Sequence, residues 1–149
     1  MNLKGEDVKM GIIDKIKDRA KKGKKTIVLP ESMDIRTFKA AETILKEGIA
    51  KLIIIGTPDE IRKNSEGCDI SGAMLIDPNT YEKTKEYEDL FVEIRKSKGL
   101  THEEARKIIL SDYAYYGCLM IKAGDADGMV SGACHSTADT LRPSLQIIT

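Results

Sequence analysis

The stretch TIVLPESMDIRTFKAAETILKEGIAKLIII, residues 26–55, decides the fold class of this chain. Its first four and its last five residues are short, mostly β-branched apolar runs, which are typical of buried strands. The segment between them, from about residue 34 to residue 47, predicts a helix with Gly48 as its C-terminal cap. A strand, a helix and a second strand in this order indicate a parallel sheet.

The neighbouring segments continue this alternation of helices and strands. Apolar residues recur at helical spacing over residues 8–20, which predicts an amphipathic helix with Gly23 as its stop. After the second strand, Thr57 is placed to cap a helix and Pro58 to occupy its first position, where the missing N–H of proline is tolerated. Residues 74–76 are a third short apolar run.

The second half of the chain is mostly helical. An apolar stripe over residues 87–94 predicts a helix that ends near Gly99. A capping-box pattern begins at Thr101, and we expect its helix to run as far as Ala123. Residues 129–130 are a fourth candidate strand. The order of elements predicts a three-layer α/β/α fold with a mostly parallel sheet.

Composition excludes several classes of function. The 24 Lys and Arg residues equal the 24 Asp and Glu residues in number, so the chain is unlike a basic nucleic-acid-binding protein. No apolar run approaches the roughly 20 residues of a membrane span. The polar start is unlike a secretory signal. Three widely spaced cysteines suit neither a disulfide framework nor a zinc site, so we expect a reducing, cytoplasmic compartment. The length suits one globular domain over residues 1–149, and we expect no metal.

Polar and small residues that could carry chemistry are concentrated in GDADGMVSGACHSTADTLRP, residues 124–143. They follow a candidate strand, and ligands of open α/β sheets bind at the carboxyl ends of strands. Gly132 would let the backbone approach a ligand closely. Ser136 predicts the N-cap of a helix, whose free N–H groups attract phosphate. The hydroxyl of Thr137 and the permanent charge of Arg142 could add to that attraction.

Structural interpretations of the same residues stay open. A Gly-Ser-Thr loop before a helix is most often a well-capped turn. Asp125 and Asp127 suit a turn as well as a metal site. His135 could be a general base and Cys134 a nucleophile, although both types are more often structural. Pro143 predicts either a single-turn helix before it or a new helix that it opens.

The chain resembles the phosphate acetyl/butaryl transferase family. Residues 124–146, GDADGMVSGACHSTADTLRPSLQ, look like that family's signature. Residues 26–31 resemble its first strand and the following loop, and residues 93–99, EIRKSKG, resemble its Arg-Lys-x-Lys-Gly helix end. The resemblance covers nearly all of the chain after Met10. From local chemistry alone, Arg95 could equally be a basic residue that favours a helix end.

The resemblance implies reversible transfer of an acetyl group between coenzyme A and inorganic phosphate, with acetyl-CoA and acetyl phosphate as the acyl carriers. Coenzyme A would be a substrate, and no cofactor would be bound. The resemblance implies a catalytic role for Arg142. It implies substrate-binding roles for Ser136, Thr137, Arg95, Ser131 and Gly132.

Family members are about twice as long as this chain. The resemblance implies that the chain is the first domain of a two-domain architecture like that of isocitrate and isopropylmalate dehydrogenases, and that the full-length protein is a homodimer. A C-terminal return segment of the family supplies a serine and an aspartate, so we expect the 149-residue chain alone to be inactive. Phosphate butyryltransferase activity and a non-catalytic phosphate-binding module are the alternatives.

Overall fold

The computed structural model describes residues 11–148. Seven α-helices and four short strands make up this part of the chain, with one 3-10 turn at Lys96–Lys98. In chain order they are α1 (Ile12–Gly23), β1 (Thr26–Leu29), α2 (Ile35–Glu47), β2 (Lys51–Ile55), α3 (Pro58–Asn64), β3 (Met74–Ile76), α4 (Thr84–Ile94), α5 (His102–Ser111), α6 (Tyr113–Lys122), β4 (Gly128–Met129) and α7 (Thr137–Ile147).

The four strands form one parallel sheet in the order β3-β2-β1-β4. Ile27 of β1 is in register with Leu52 of β2 on one side and with Gly128 of β4 on the other. The chain moves outward from β1 to β3 and then returns to the opposite side of β1 to form β4. The direction of winding therefore reverses between β1 and β4, and this switch point is where open α/β sheets bind their ligands.

Both faces of the sheet are covered by helices, because successive residues of a strand point to opposite faces. One face packs against α4, α5, α6 and α7 through Val28, Ile53 and Ile55. The other face packs against α2 and α3 through Leu29, Leu52 and Ile54. The three-layer α/β/α fold with a parallel sheet is confirmed.

The long helix expected between Thr101 and Ala123 is wrong. The capping box of Thr101 is present, but the helix that it starts ends at Ser111. Asp112 is extended, with φ −130° and ψ 99°, and its side chain accepts a hydrogen bond from the N–H of Ala114. Asp112 therefore ends α5 and caps α6. Aspartate favours such a break because its side chain can bond nearby backbone N–H groups in place of the helical hydrogen bonds.

The helix break expected at Pro143 is also wrong, since α7 continues through it to Ile147. Proline removes one backbone hydrogen bond from a helix interior. Here Pro143 is buried, and Ile147 belongs to the core that α7 shares with α6. Burial of this apolar side of α7 offsets the lost bond.

The remaining boundaries differ by a few residues from the expected ones. The helix expected over residues 8–20 begins partly outside the described residues, and α1 starts at Ile12. Gly23 is its last residue, but Lys24 has the left-handed conformation, with φ 42°. β4 lies one residue earlier than expected. None of the helices within residues 11–148 combines the length and apolarity of a membrane span.

Candidate functional site

The segments that follow β1 and β4 meet at the switch point through one carboxylate. Glu31, two residues after β1, is 3% exposed. Its Oε1 accepts the backbone N–H of Gly132 over 2.6 Å and that of Ala133 over 2.8 Å. Its Oε2 accepts the N–H of Cys134 over 2.8 Å. Successive backbone N–H groups that converge in this way form an anion-binding nest, and the anion here belongs to the protein itself.

Three side chains of the same loop also contact this carboxylate. Ser131 Oγ donates to Oε1 over 3.2 Å, Cys134 Sγ donates to Oε2 over 3.0 Å, and His135 Nδ1 lies 2.8 Å from Oε2. Burial alone would raise the pKa of Glu31. The hydrogen bonds from His135, Cys134 and the backbone outweigh burial and hold that pKa well below its usual range. Glu31 is therefore a nearly buried carboxylate that is ionised near neutral pH.

Two of the predicted substrate-binding residues bind this internal anion. Ser131 and Gly132 both donate to Glu31 Oε1. Gly132 has φ 118°, a conformation that side chains rarely adopt, so the loop needs glycine at this position. The close backbone approach expected at Gly132 is present, but its partner in this structure is Glu31. A role for either residue toward substrate stays a prediction.

Arg36 also contacts this loop, but it donates to a carbonyl oxygen, whereas Glu31 accepts from N–H groups. It lies in the first turn of α2, where its guanidinium pairs with Asp34 over 2.6 Å and donates to the carbonyl oxygen of Ala133. The segment after β1 therefore holds both N–H groups and a carbonyl of the segment after β4. Sequence reasoning missed Glu31 and Arg36. The available signal was an acidic residue that follows a buried strand and a proline, at the carboxyl ends of the strands, where ligands bind.

The start of α7 carries three predicted site residues on an exposed surface. Ser136 is the N-cap: its Oγ accepts the N–H of Asp139 over 3.1 Å and donates to Asp139 Oδ2 over 2.8 Å. Thr137 is the first residue of the helix and is exposed. Arg142 Nη1 donates to Asp139 Oδ1 over 3.1 Å. The bond from Ser136 and then the bond from Arg142 lower the pKa of Asp139. The carboxylate of Asp139 thus contacts both the hydroxyl of Ser136 and the guanidinium of Arg142.

Arg95 and Arg142 both lie near Tyr115, in the first turn of α6. Burial raises the pKa of Tyr115 and the charge of Asp112 adds to the rise, whereas the positive charges of Arg142 and Arg95 oppose it. The Tyr115 hydroxyl donates to Gln146 Oε1 of α7 over 3.2 Å. The structure therefore brings the two predicted arginines to the same end of α6, although Arg95 belongs to the end of α4.

A cavity of about 100 Å³ opens beside Glu31 at this end of the sheet. Its walls include His135 and Ser131 from the loop after β4, and Asp112 and Tyr113 from the junction of α5 and α6. A larger surface depression of about 510 Å³ lies over α2 and contains none of the predicted site residues. Because Asp112 and Tyr113 line this small cavity, the break between α5 and α6 lies beside the candidate site.

The contacts of Cys134 and His135 bear on two possible roles, a nucleophile at Cys134 and a metal site. Partial desolvation, followed by the hydrogen bond to Glu31, raises the pKa of Cys134 to about 11, so Cys134 is a thiol near neutral pH and a weak nucleophile. Ligand atoms of Glu31, Cys134 and His135 lie within 4.8 Å of one another, a combination that a soft divalent ion could use. Such an ion would have to displace the thiol proton and compete for an oxygen that already accepts three contacts.

Asp125 and Asp127 have separate structural partners at the amino ends of the strands, away from the candidate site. Asp127 Oδ2 accepts the N–H of Thr26, the first residue of β1, over 2.8 Å. Asp125 accepts the hydroxyl of Tyr87 over 2.6 Å and pairs with Lys83 over 2.9 Å. The two carboxylates therefore tie β4 to β1 and α4. These are long-range contacts and differ from the local turn contacts that the sequence suggests.

Comparison with known proteins assigns a family to this arrangement. The model of the phosphate acetyl/butaryl transferase family matches residues 11–149. The chain is 54% identical over 139 residues to a phosphate acetyltransferase from Thermoanaerobacterium thermosaccharolyticum and 50% identical to one from Acetivibrio thermocellus. Each alignment covers 93% of this chain and 42% of the relative.

Solved structures agree with the sequence comparison. A phosphotransacetylase from Streptococcus pyogenes superposes with a TM-score of 0.83 at 40% identity, covering 93% of this chain and 43% of that one. The EutD phosphotransacetylase from Staphylococcus aureus gives a TM-score of 0.80 at 39% identity, covering 89% of this chain and 40% of that one. The chain thus spans less than half the length of these relatives. Over the part that it does span, it belongs to the phosphate acetyl/butaryl transferase family.

Proposed function

We propose that this chain is the first domain of a phosphate acetyltransferase, which converts acetyl-CoA and phosphate reversibly into acetyl phosphate and CoA. The observation that carries the proposal is the exposed start of α7 at the switch point of the sheet, in a chain of this family. Because the chain spans 42% of the two phosphate acetyltransferases named above, the activity is proposed for a protein of their length.

The start of α7 suits a phosphoryl group. A helix N-terminus presents unpaired N–H groups and a partial positive charge. The hydroxyls of Ser136 and Thr137 stand beside these groups, and Arg142 lies less than two turns further along the helix. A bidentate guanidinium can hold phosphate in line with a thioester carbonyl.

The reaction needs stabilisation of negative charge more than it needs a protein nucleophile. Attack of phosphate on the thioester, or of the CoA thiolate on acetyl phosphate, places negative charge on the oxygen of a tetrahedral carbon. Preorganised N–H groups and an arginine stabilise such an oxyanion. We assign this role to Arg142, which would exchange Asp139 for substrate. We assign Arg95, near the same end of α6, to binding a negatively charged substrate.

Further properties are proposed by analogy with the family. We propose coenzyme A as a substrate without a resident cofactor, a two-domain homodimeric protein and a role in acetate metabolism. All three cysteines, Cys68, Cys118 and Cys134, are free thiols, which supports a reducing cytoplasmic location.

A chimaera tests the proposal. Residues 11–149 would replace the matching segment of the Thermoanaerobacterium thermosaccharolyticum relative, and acetyl-CoA formation from acetyl phosphate and CoA would be measured beside the 149-residue chain. We expect turnover from the chimaera and none from the chain alone. A folded chimaera that binds inorganic phosphate without turnover would favour a non-catalytic module. A butyryl-CoA rate above the acetyl-CoA rate would favour a butyryltransferase.

A pair of arginine variants tests the assignment of Arg142. Arg142→Ala in the chimaera should lower kcat about a hundredfold or more, the cost of one oxyanion-stabilising donor. Arg62→Ala is the matched control, because Arg62 also forms an exposed pair with an aspartate three residues earlier, Asp59. Equal effects of the two substitutions would remove Arg142 from the reaction.

A further inference from the structure

The contacts of Glu31 point beyond the residues assigned above. Its two carboxylate oxygens receive three backbone N–H groups and contact three side chains, and all six groups belong to residues 131–135. We propose that Glu31 is a positioning residue: it is an internal anion that fixes the loop after β4 and so aims Ser136 and Thr137 at substrate. The catalytic part of this proposal rests on the proposed function.

The loop has few other means of holding its shape. Residues 132–139 are all exposed, so apolar burial contributes little to the order of this segment. The left-handed Gly132 turns three successive N–H groups toward one point. Groups that converge in this way repel one another unless an acceptor lies between them. An ionised carboxylate is the strongest acceptor that a side chain can supply.

The position of Glu31 along the chain makes it a rigid support. It follows β1, one of the two inner strands, by two residues and is almost fully buried. The neighbouring Arg36 binds the carbonyl of Ala133, so groups of both polarities in the loop are held from one side. His135, the last residue in contact with Glu31, directly precedes the N-cap Ser136. Fixing the loop at His135 therefore fixes the direction in which α7 begins.

The nest itself is a poor receptor for substrate phosphate. A phosphate at this point would have to displace a nearly buried, fully ionised carboxylate from six contacts. It would also meet that negative charge at close range. The geometry therefore separates two roles: Glu31 occupies the nest, and the next anion site along the chain, at Ser136 and Thr137, stays open to solvent.

Amide hydrogen exchange in the 149-residue chain tests the positioning role without reference to catalysis. In Glu31→Gln an amide N–H group replaces one acceptor oxygen and opposes the donors of the loop. We expect exchange at Gly132, Ala133 and Cys134 to rise about ten- to a hundredfold, the range for one hydrogen bond to a charged group. Exchange at Ile53 in the inner strand β2 should stay unchanged, as should exchange throughout the control Glu66→Gln, which alters an exposed residue.

Two results would overturn the positioning role. Unchanged exchange at the three loop amides would show that Glu31 does not hold the loop. An equal rise at Ile53 would show that Glu31 supports the whole sheet and has no particular relation to the loop. Circular dichroism and thermal unfolding identify a variant that fails to fold, and in that case Glu31→Asp replaces it, since the shorter carboxylate keeps the charge but loosens the contacts.

The chimaera then tests the link to catalysis. Glu31→Gln should lower kcat about tenfold or more while the KM for CoA stays within about twofold, and Glu31→Asp should restore part of the loss, because an ionised group returns to the nest. Faster loop exchange with an unchanged kcat would separate the loop from the reaction and overturn this link. An inactive wild-type chimaera would instead refute the proposed function, and the exchange measurement would still decide the positioning role.

Discussion

The thiol of Cys134 donates a hydrogen bond to Oε2 of Glu31 over 3.0 Å, although the two residues are 103 positions apart in the sequence. A cysteine near a helix start and beside a histidine is often activated, because both neighbours favour the thiolate. Here partial desolvation and the adjacent carboxylate have the opposite effect and raise the pKa of Cys134 to about 11. The thiol is thus a hydrogen-bond donor that helps to hold Glu31.

Cys134 should therefore react slowly with alkylating reagents at neutral pH. We expect iodoacetamide at pH 8 to modify it about tenfold or more slowly than an ordinary thiol, because the small thiolate fraction outweighs the higher nucleophilicity of a basic thiolate. Its rate should still rise with pH above pH 9, where an ordinary thiol levels off. Glu31→Gln should speed the reaction by removing the negative charge. Peptide mass spectrometry measures each rate, and ordinary reactivity at pH 8 would contradict the prediction.

The ion pair between Asp139 and Arg142 should compete with phosphate. Asp139→Asn keeps an acceptor for Ser136 but removes the charge that holds Arg142. In the chimaera we expect the KM for phosphate to fall about two- to fivefold at low ionic strength, the size of one exposed ion pair. The effect should shrink as salt is added, because exposed charges are screened.

A second aspartate provides the control for this measurement. Asp59 pairs with Arg62 at the same spacing in α3, over 3.2 Å. Asp59→Asn removes one negative charge from the protein without touching α7. A similar fall in KM in both variants would indicate a general electrostatic effect and would contradict direct competition at Arg142.

Local sequence patterns were sufficient for most of the fold. The strands at residues 26–29 and 51–55 are apolar on both faces, and a parallel sheet covered on both sides requires that composition. Thr57 and Thr101 were predictable as capping residues because a capping box involves only neighbours in sequence. The error at Asp112 arose because side-chain capping overrode helical periodicity. The error at Pro143 arose because tertiary packing overrode the helix-breaking tendency of proline.

The candidate site was only partly predictable for a related reason. The exposed helix start at Ser136 follows from residues that are adjacent in the chain. The contacts of Glu31 join residues 100 to 104 positions apart, and nothing in the local pattern specifies which segments meet. Strand order decides this, since only the placement of β4 beside β1 brings the two loops together. The nest also explains Gly132, which the sequence alone indicates only as a close approach.

Close packing of α6 on the sheet should make Gly117 sensitive to substitution. A Cβ atom there would lie 2.7 Å from Met129 Sδ and 3.1 Å from Val28 Cγ1. Met129 can move, but the branched side chain of Val28 cannot move as easily. We expect Gly117→Ala to lower the free energy of unfolding by about 1–2 kcal/mol, as overpacking outweighs the gain in helix propensity. Urea denaturation followed by circular dichroism measures the loss.

Gly23→Ala is the control for this prediction. Gly23 is also helical, but the nearest atom to a Cβ there is Lys25 Cε at 4.0 Å. Alanine should be neutral or stabilising by up to about 1 kcal/mol at this position. Equal destabilisation by the two substitutions would mean that close packing at Gly117 is not the cause.

Asp125 should stabilise the fold in a pH-dependent way. Hydrogen bonds from Tyr87 and then Lys83 lower its pKa in the folded chain. Its contribution is therefore complete above the unfolded-state pKa, about 3.9, and is lost as the pH falls through the lower folded-state value. We expect Asp125→Asn to lower the free energy of unfolding by about 1–2 kcal/mol at pH 7 and by progressively less below pH 4.

Urea denaturation at several pH values measures this difference, with the exposed Asp18→Asn as a control that should change stability little at any pH. A difference between wild type and Asp125→Asn that stays constant down to pH 2 would show that the charge of Asp125 does not stabilise the link between β4 and α4.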